Sequence, residues 1–251
     1  MSRFKTLRES LADLMRPLRP LEAVVIVGAG LVLLILWLFW GGRAFFVERL
    51  APVLLRGQPA DIVEWWSLIY QFATAQVLFL WIPLALFRVR RVPLGTLGLG
   101  LGDVRAGFRV AVPLGILLIA LPGGFLASTQ ADFLAEYPMA RLAAASGVNF
   151  VIYQLAYGLL YYAAYEAFFR GFLQLGLTRV IGALPAILVQ TAVTTLLHIG
   201  KPAGEIFSAL MAGFLFGALV LRLGSVWPLW LIHWALGAAT DFFCARAGGL
   251  F

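Results

Sequence analysis

Charge is the scarcest commodity in this sequence. Of its 251 residues only 12% are charged, against roughly a quarter in a soluble domain, while 62% are apolar against about 45–50%. Mean hydropathy is +0.94. Twelve acidic side chains cannot cover the surface of a soluble fold of this size, so the surplus apolar area must face lipid. Disordered, collagen-like and disulfide-scaffold classes are excluded on the same grounds. Cys244 is the single cysteine and can form no internal bridge. Histidine is nearly absent too, with only His198 and His233. The net charge of +7 and the pI near 10.1 do not call for nucleic acid. In a membrane protein a basic surplus gathers in cytoplasmic loops, where it sets topology and meets anionic lipid.

What is abundant is hydrophobic run length. A bilayer core takes roughly 20 residues of helix, and about seven segments qualify: 21–40, 65–87, 110–127, 150–177, 184–199, 206–221 and 226–243. The fourth is overlong; the fifth and sixth are short. The expected fold is therefore all-α, a polytopic transmembrane helix bundle. Residues 1–20 carry Arg3, Lys5, Arg8, Arg16 and Arg19 and form a basic N-terminal segment. It reads as a charged flank, with a surface-lying amphipathic helix as the other reading. The first run ends in Trp-Leu-Phe-Trp with no small-residue cleavage site after it, which marks an anchor. With the N-terminus cytoplasmic, twelve basic residues fall inside and six outside, and Arg170 lies within a span. The chain divides into that segment, N-terminal helices and loops over 21–147, and a helix core over 148–251.

Two local patterns invite assignment and earn little. The glycine alternation of Leu97-Gly-Leu-Gly-Leu-Gly-Asp103 lacks the strand that a nucleotide loop follows, so it reads as a connection after a basic turn. Gly213 and Gly217 form a small-xxx-small pair, expected to serve packing within the chain.

Ionisable groups at mid-membrane cost several kcal/mol by most scales and need a partner or a task. Glu166, Arg170, His198 and His233 all lie in apolar runs on three different spans, with Glu205 and Asp241 near the ends of two runs. Glu166 and Arg170 stand at i, i+4 and share a helix face. Thr191, Thr194, Thr195 and His198 form a polar stripe at helical spacing. Such a set can activate water: a carboxylate in an apolar cavity works as general base, and imidazoles hold the water or an oxyanion. The same residue types can ligate zinc through His198, His233 and Glu166, or carry protons in a transporter. No His-Glu-x-x-His helix is present, so no cofactor is expected and zinc stays second.

At these residues the chain resembles the CPBP membrane proteins, which include CAAX prenyl endopeptidases and bacteriocin self-immunity proteins. Tyr165-Glu-Ala-Phe-Phe-Arg-Gly171 is similar to the family's first motif, Glu-Glu-x-x-x-Arg. His198 matches the histidine of Phe-x-x-x-His, and His233 that of His-x-x-x-Asn/Asp. The resemblance covers about 150–243 and implies a helical membrane fold and glutamate-dependent, metal-independent hydrolysis of a membrane-associated protein or peptide. By default it makes Glu166 the base and Arg170 its charge partner, with His198 and His233 on water or oxyanion. It implies residence in a bacterial plasma membrane. Three departures stand out. Tyr165 replaces the first glutamate, which the resemblance implies is the usual base, Thr194 the phenylalanine, and Gly237 the final Asn/Asp. Tyr165, Thr194, Glu205 and Asp241 are thus candidates for supporting roles. Asp241 lies two turns past His233, about 12 Å along a helix. Glu205 follows a Gly-Lys-Pro break that can fold it back. The alternatives are a non-catalytic membrane scaffold or self-immunity protein, and a proton-coupled transporter. If the fourth span descends and the fifth rises, Glu166 and His198 fall at different depths, which a tilted or deeply inserted fourth helix would reconcile.

Overall fold

A computed structural model describes residues 19–91 and 93–250. Most of the basic N-terminal segment, residues 1–18, lies outside the described residues. Those described form an all-α membrane bundle; no strand occurs among them. Seven long helices correspond to the seven apolar runs. They are α1 (Glu22–Leu54), α2 (Ala60–Val89), α3 (Arg105–Ala127), α5 (147–181), α6 (Ala183–Leu197), α7 (Ala203–Leu223) and α8 (Trp227–Ala247). A short α4 (Ala131–Glu136) was not anticipated. Helices α1, α2, α3 and α7 are long and apolar enough to cross a membrane; α6 is apolar but shorter. Their outer faces expose large apolar side chains, such as Val32 and Ile35 on α1, Leu117 and Leu118 on α3, and Phe207 and Met211 on α7. Only lipid accommodates such faces at this density.

The bundle has two chemically distinct ends. At one, Arg179 at the end of α5 pairs with Glu22 at the start of α1, at 3.3 Å. The glycine-alternating segment docks there: Gly98 O accepts from Val226 N (2.9 Å), Leu99 O from Trp227 Nε1 (2.9 Å), and Leu223 O from Asp103 N (2.8 Å). These bonds seat it under the α7–α8 turn, which gives the alternation a structural purpose. At the other end Glu64 ties Arg43 (3.4 Å) and the backbone N–H of Arg141 (3.1 Å).

Helix α5 runs through the middle. From Tyr162 to Gln174 every side chain is buried, as expected of a helix that is apolar on all faces. Tyr153, Tyr157, Tyr161, Tyr165 and Phe169, four residues apart, make a continuous ring ladder with neighbouring centroids 4.4–5.8 Å apart. Phe72 and Trp37 pack on it from α2 and α1. On the opposite side polar links tie α5 and α6 to α7: Gln174 Nε2 donates to Gly217 O and Gln190 Nε2 to Gly213 O, both at 2.7 Å. The small-residue pair of α7 therefore serves packing within the chain. In a bilayer such bonds contribute roughly 0.6 kcal/mol each, so ring and side-chain packing holds the bundle and the amides fix its register.

The depth problem has a simple resolution. Glu166 lies fifteen residues before the end of α5 at Ile181, and His198 fifteen after the start of α6 at Ala183. At 1.5 Å per residue both are about 22 Å from the same end. The excess length of α5 extends beyond Glu166 on the other side.

Candidate active site

Two cavities, of about 290 and about 120 Å³, share six lining side chains: Tyr137, Tyr162, Tyr165, His198, Glu205 and His233. Arg170 and Thr194 line the larger one, with an apolar wall from α3, α7 and α8 that includes Leu126, Ala212 and Leu236. Trp37, Gln71 and Lys201 line the smaller. The residues expected to converge from three spans do converge.

Each histidine is pinned through Nδ1. His198, at the end of α6, has Nδ1 2.7 Å from the carbonyl oxygen of Thr194. A carbonyl only accepts, so Nδ1 carries the proton and the neutral ring keeps Nε2 as an acceptor. That Nε2 lies 3.8 Å from Glu205 Oε1. Thr194, where the family motif has phenylalanine, donates its hydroxyl back to Gln190 O and Thr191 O at 2.9 and 3.0 Å. It orders the last turn of α6 and presents the carbonyl that orients His198. His233 on α8 has Nδ1 2.7 Å from Glu166 Oε1.

Glu166 and Arg170 form the expected i, i+4 pair at 3.1 Å, with side-chain exposures of 0% and 3%. Helix α5 is π-helical from Ala167 to Leu175, which widens the turn carrying Arg170. The access of the carboxylate bears on its expected role as base. Glu166 lines neither cavity, and its Oε1 accepts from both Arg170 and His233. It is sealed behind the two side chains it holds. Tyr165, one residue earlier, faces the cavities and places its ring 5.5 Å from the Arg170 guanidinium and edge-on to His233 at 5.3 Å.

The two other carboxylates divide clearly. Asp241 is fully buried, accepts from Gln154 Nε2 at 2.7 Å and lines neither cavity, so it does not join the site. Its neighbour Thr240 lines the larger one. Glu205 lines both, and it is the sole carboxylate in either lining among the described residues. Gly200, with φ of +94°, and Pro202 fold the chain back between α6 and α7 as the sequence allowed. Tyr137 donates its hydroxyl to Glu205 Oε2 at 2.7 Å. Burial and the adjacent Glu205 hold the Tyr137 phenol well above its usual pKa, so it remains a donor. One residue away, Glu136 pairs with Lys201. Sequence reasoning missed Tyr137, Glu136 and Lys201 as parts of the site. Nothing periodic marks the 137 segment, and its partner lies 68 residues further on.

Gly237 also finds its reason here. A Cβ at this position would lie 2.1 Å from Tyr162 Oη, far inside any permitted contact. The phenol of Tyr162 fills the space into which the third motif's Asn or Asp would project. Among the described residues no group of three or more His, Cys, Asp or Glu side chains is placed to hold a metal ion.

In comparisons with known proteins, residues 147–239 match the family model described as type II CAAX prenyl endopeptidase Rce1-like. No curated protein and no solved structure matches. The family match supports the CPBP resemblance drawn from the motifs and, at family level, a membrane endopeptidase of CAAX-protease type.

Proposed function

We propose, from the match of residues 147–239 to the Rce1-like family model, that this protein is an intramembrane endopeptidase. It hydrolyses a peptide bond of a membrane-associated protein or peptide with an activated water and no cofactor, in a bacterial plasma membrane with the N-terminus cytoplasmic. The observation that carries this reading is the pair of histidines pinned through Nδ1 beside one cavity, with Arg170 in its wall. Pinned imidazoles hold a fixed tautomer and direction, which acid–base catalysis requires. A cavity of about 290 Å³ is at the small end of ligand sites, sized for a short stretch of extended peptide and its water. Arg170 suits the oxyanion that forms at the carbonyl, while His233, with Nδ1 donating to Glu166, offers the Nε2 of its neutral ring as an acceptor. Glu166 acts through them: it fixes the His233 tautomer and neutralises Arg170.

Purified protein in proteoliposomes, offered internally quenched apolar peptides, should show cleavage that His198→Ala and Glu166→Gln abolish while both variants still insert and fold. Full cleavage by both variants would sink the reading. The competing reading is a non-catalytic scaffold, which Tyr165 at the first motif position favours. It predicts no cleavage by wild type and new activity in Tyr165→Glu. A transporter would instead show proton-coupled uptake in the same liposomes, lost in Glu166→Gln.

A further inference from the structure

We propose that Glu205, working with His198, is the carboxylate that activates the hydrolytic water, taking over from α7 the task left vacant on α5 by Tyr165. The assignment rests on the hydrolase reading above. Of the carboxylates near the site, Glu166 and Asp241 are fully buried and Glu136 is paired with Lys201, and none of the three lines a cavity, whereas about a fifth of the Glu205 side chain is exposed and it lines both. A general base must reach the proton that it removes, and among these carboxylates Glu205 is the one that lines the cavities.

The pairing with His198 is the second argument. Nδ1 spends its proton on the Thr194 carbonyl, so Nε2 and Glu205 Oε1 are two acceptors facing each other across 3.8 Å with no hydrogen between them. A water beside both can donate one proton to each and turn a lone pair toward the cavity. The other carboxylate oxygen is fixed by Tyr137, which sets the rotamer of Glu205 from outside its own helix. The break at Gly200 and Pro202, and the Lys201–Glu136 pair beside it, hold the first turn of α7 over the cavity.

In the step this geometry supports, the water oxygen bonds to the peptide carbonyl carbon as one of its protons passes to Glu205 Oε1. The carbonyl oxygen takes the negative charge, facing Arg170. Collapse of the tetrahedral intermediate breaks the C–N bond, and the proton held by Glu205 goes to the leaving nitrogen. One water is consumed, and one carboxylic acid and one amine are released; no oxidant, reductant or other reactant enters.

The test uses the full chain in proteoliposomes with a quenched peptide that wild type cleaves. Glu205→Gln keeps an acceptor for Tyr137 but cannot take a proton, so kcat should fall at least about 100-fold with KM changed less than about twofold. Adding Tyr165→Glu to Glu205→Gln should restore measurable cleavage, a rescue that a purely structural role for Glu205 does not produce. Cleavage by Glu205→Gln within about threefold of wild type, with Glu166→Gln inactive, overturns the assignment and leaves the hydrolase intact. No cleavage of any peptide by wild type, with the protein folded by thermal melt, overturns both.

Discussion

Glu166 and Arg170 face each other at 3.1 Å with almost no exposure, and His233 shares the same carboxylate oxygen. A buried pair of this kind adds little net stability, because desolvation offsets the attraction, yet breaking it strands a charge. Glu166→Ala should therefore destabilise the protein by about 3–5 kcal/mol, and the double variant Glu166→Ala/Arg170→Met should recover most of that loss. Chemical denaturation in detergent micelles checks both. Recovery of nothing in the double variant would mean that the pair acts through packing alone. The sequence revealed the partnership, since i, i+4 spacing on a helix allows one geometry. It did not reveal the seal around the carboxylate. Which neighbours close over a helix face depends on contacts made by other helices, and spacing is silent on those. For the same reason spacing could not show that Gln154 claims Asp241.

At the scale of elements, α8 meets α5 through small residues placed opposite large rings. Gly237 lies against Tyr162, and Gly158 of α5 lies against Trp234, where an added Cβ would fall 2.2 Å from the indole. Gly237→Asn, which reinstates the family's third motif, should cost about 1–3 kcal/mol through overpacking and displace Tyr162. Combined with Tyr162→Leu, the loss should shrink. A double-mutant cycle read by thermal melting measures the coupling, and strictly additive losses would show that the two positions do not compete for space. Apolar runs announced α1 to α3 and α5 to α8, because length and hydropathy suffice for a lipid-facing helix. They did not announce α4, whose six residues are too few for any periodic signal. The glycine at 237 was legible only as a missing side chain; the ring that occupies its place belongs to another helix.

Across the whole molecule, the helices alternate direction between a basic end and the end where Arg43, Glu64 and Arg141 interact. Cys244 is the lone thiol and is buried, which makes sidedness measurable. In a Cys244→Ala background, Thr129→Cys should react with a membrane-impermeant thiol reagent on intact cells. Thr96→Cys should react only after lysis, as twelve-to-six charge asymmetry requires of a cytoplasmic N-terminus. Labelling in the reverse order would invert the topology and leave the site geometry untouched. The short helix α6 has a consequence for the lipid as well as for the fold. Fifteen residues rise about 22 Å, against roughly 30 Å of hydrocarbon in an average bilayer. Leu184, Leu188, Leu196 and Ile199 expose apolar surface over that whole length, so the surrounding lipid must thin to match it. Thinning there would bring headgroups and their hydration nearer the depth of His198, and cleavage in proteoliposomes of short-chain lipid should then exceed that in long-chain lipid.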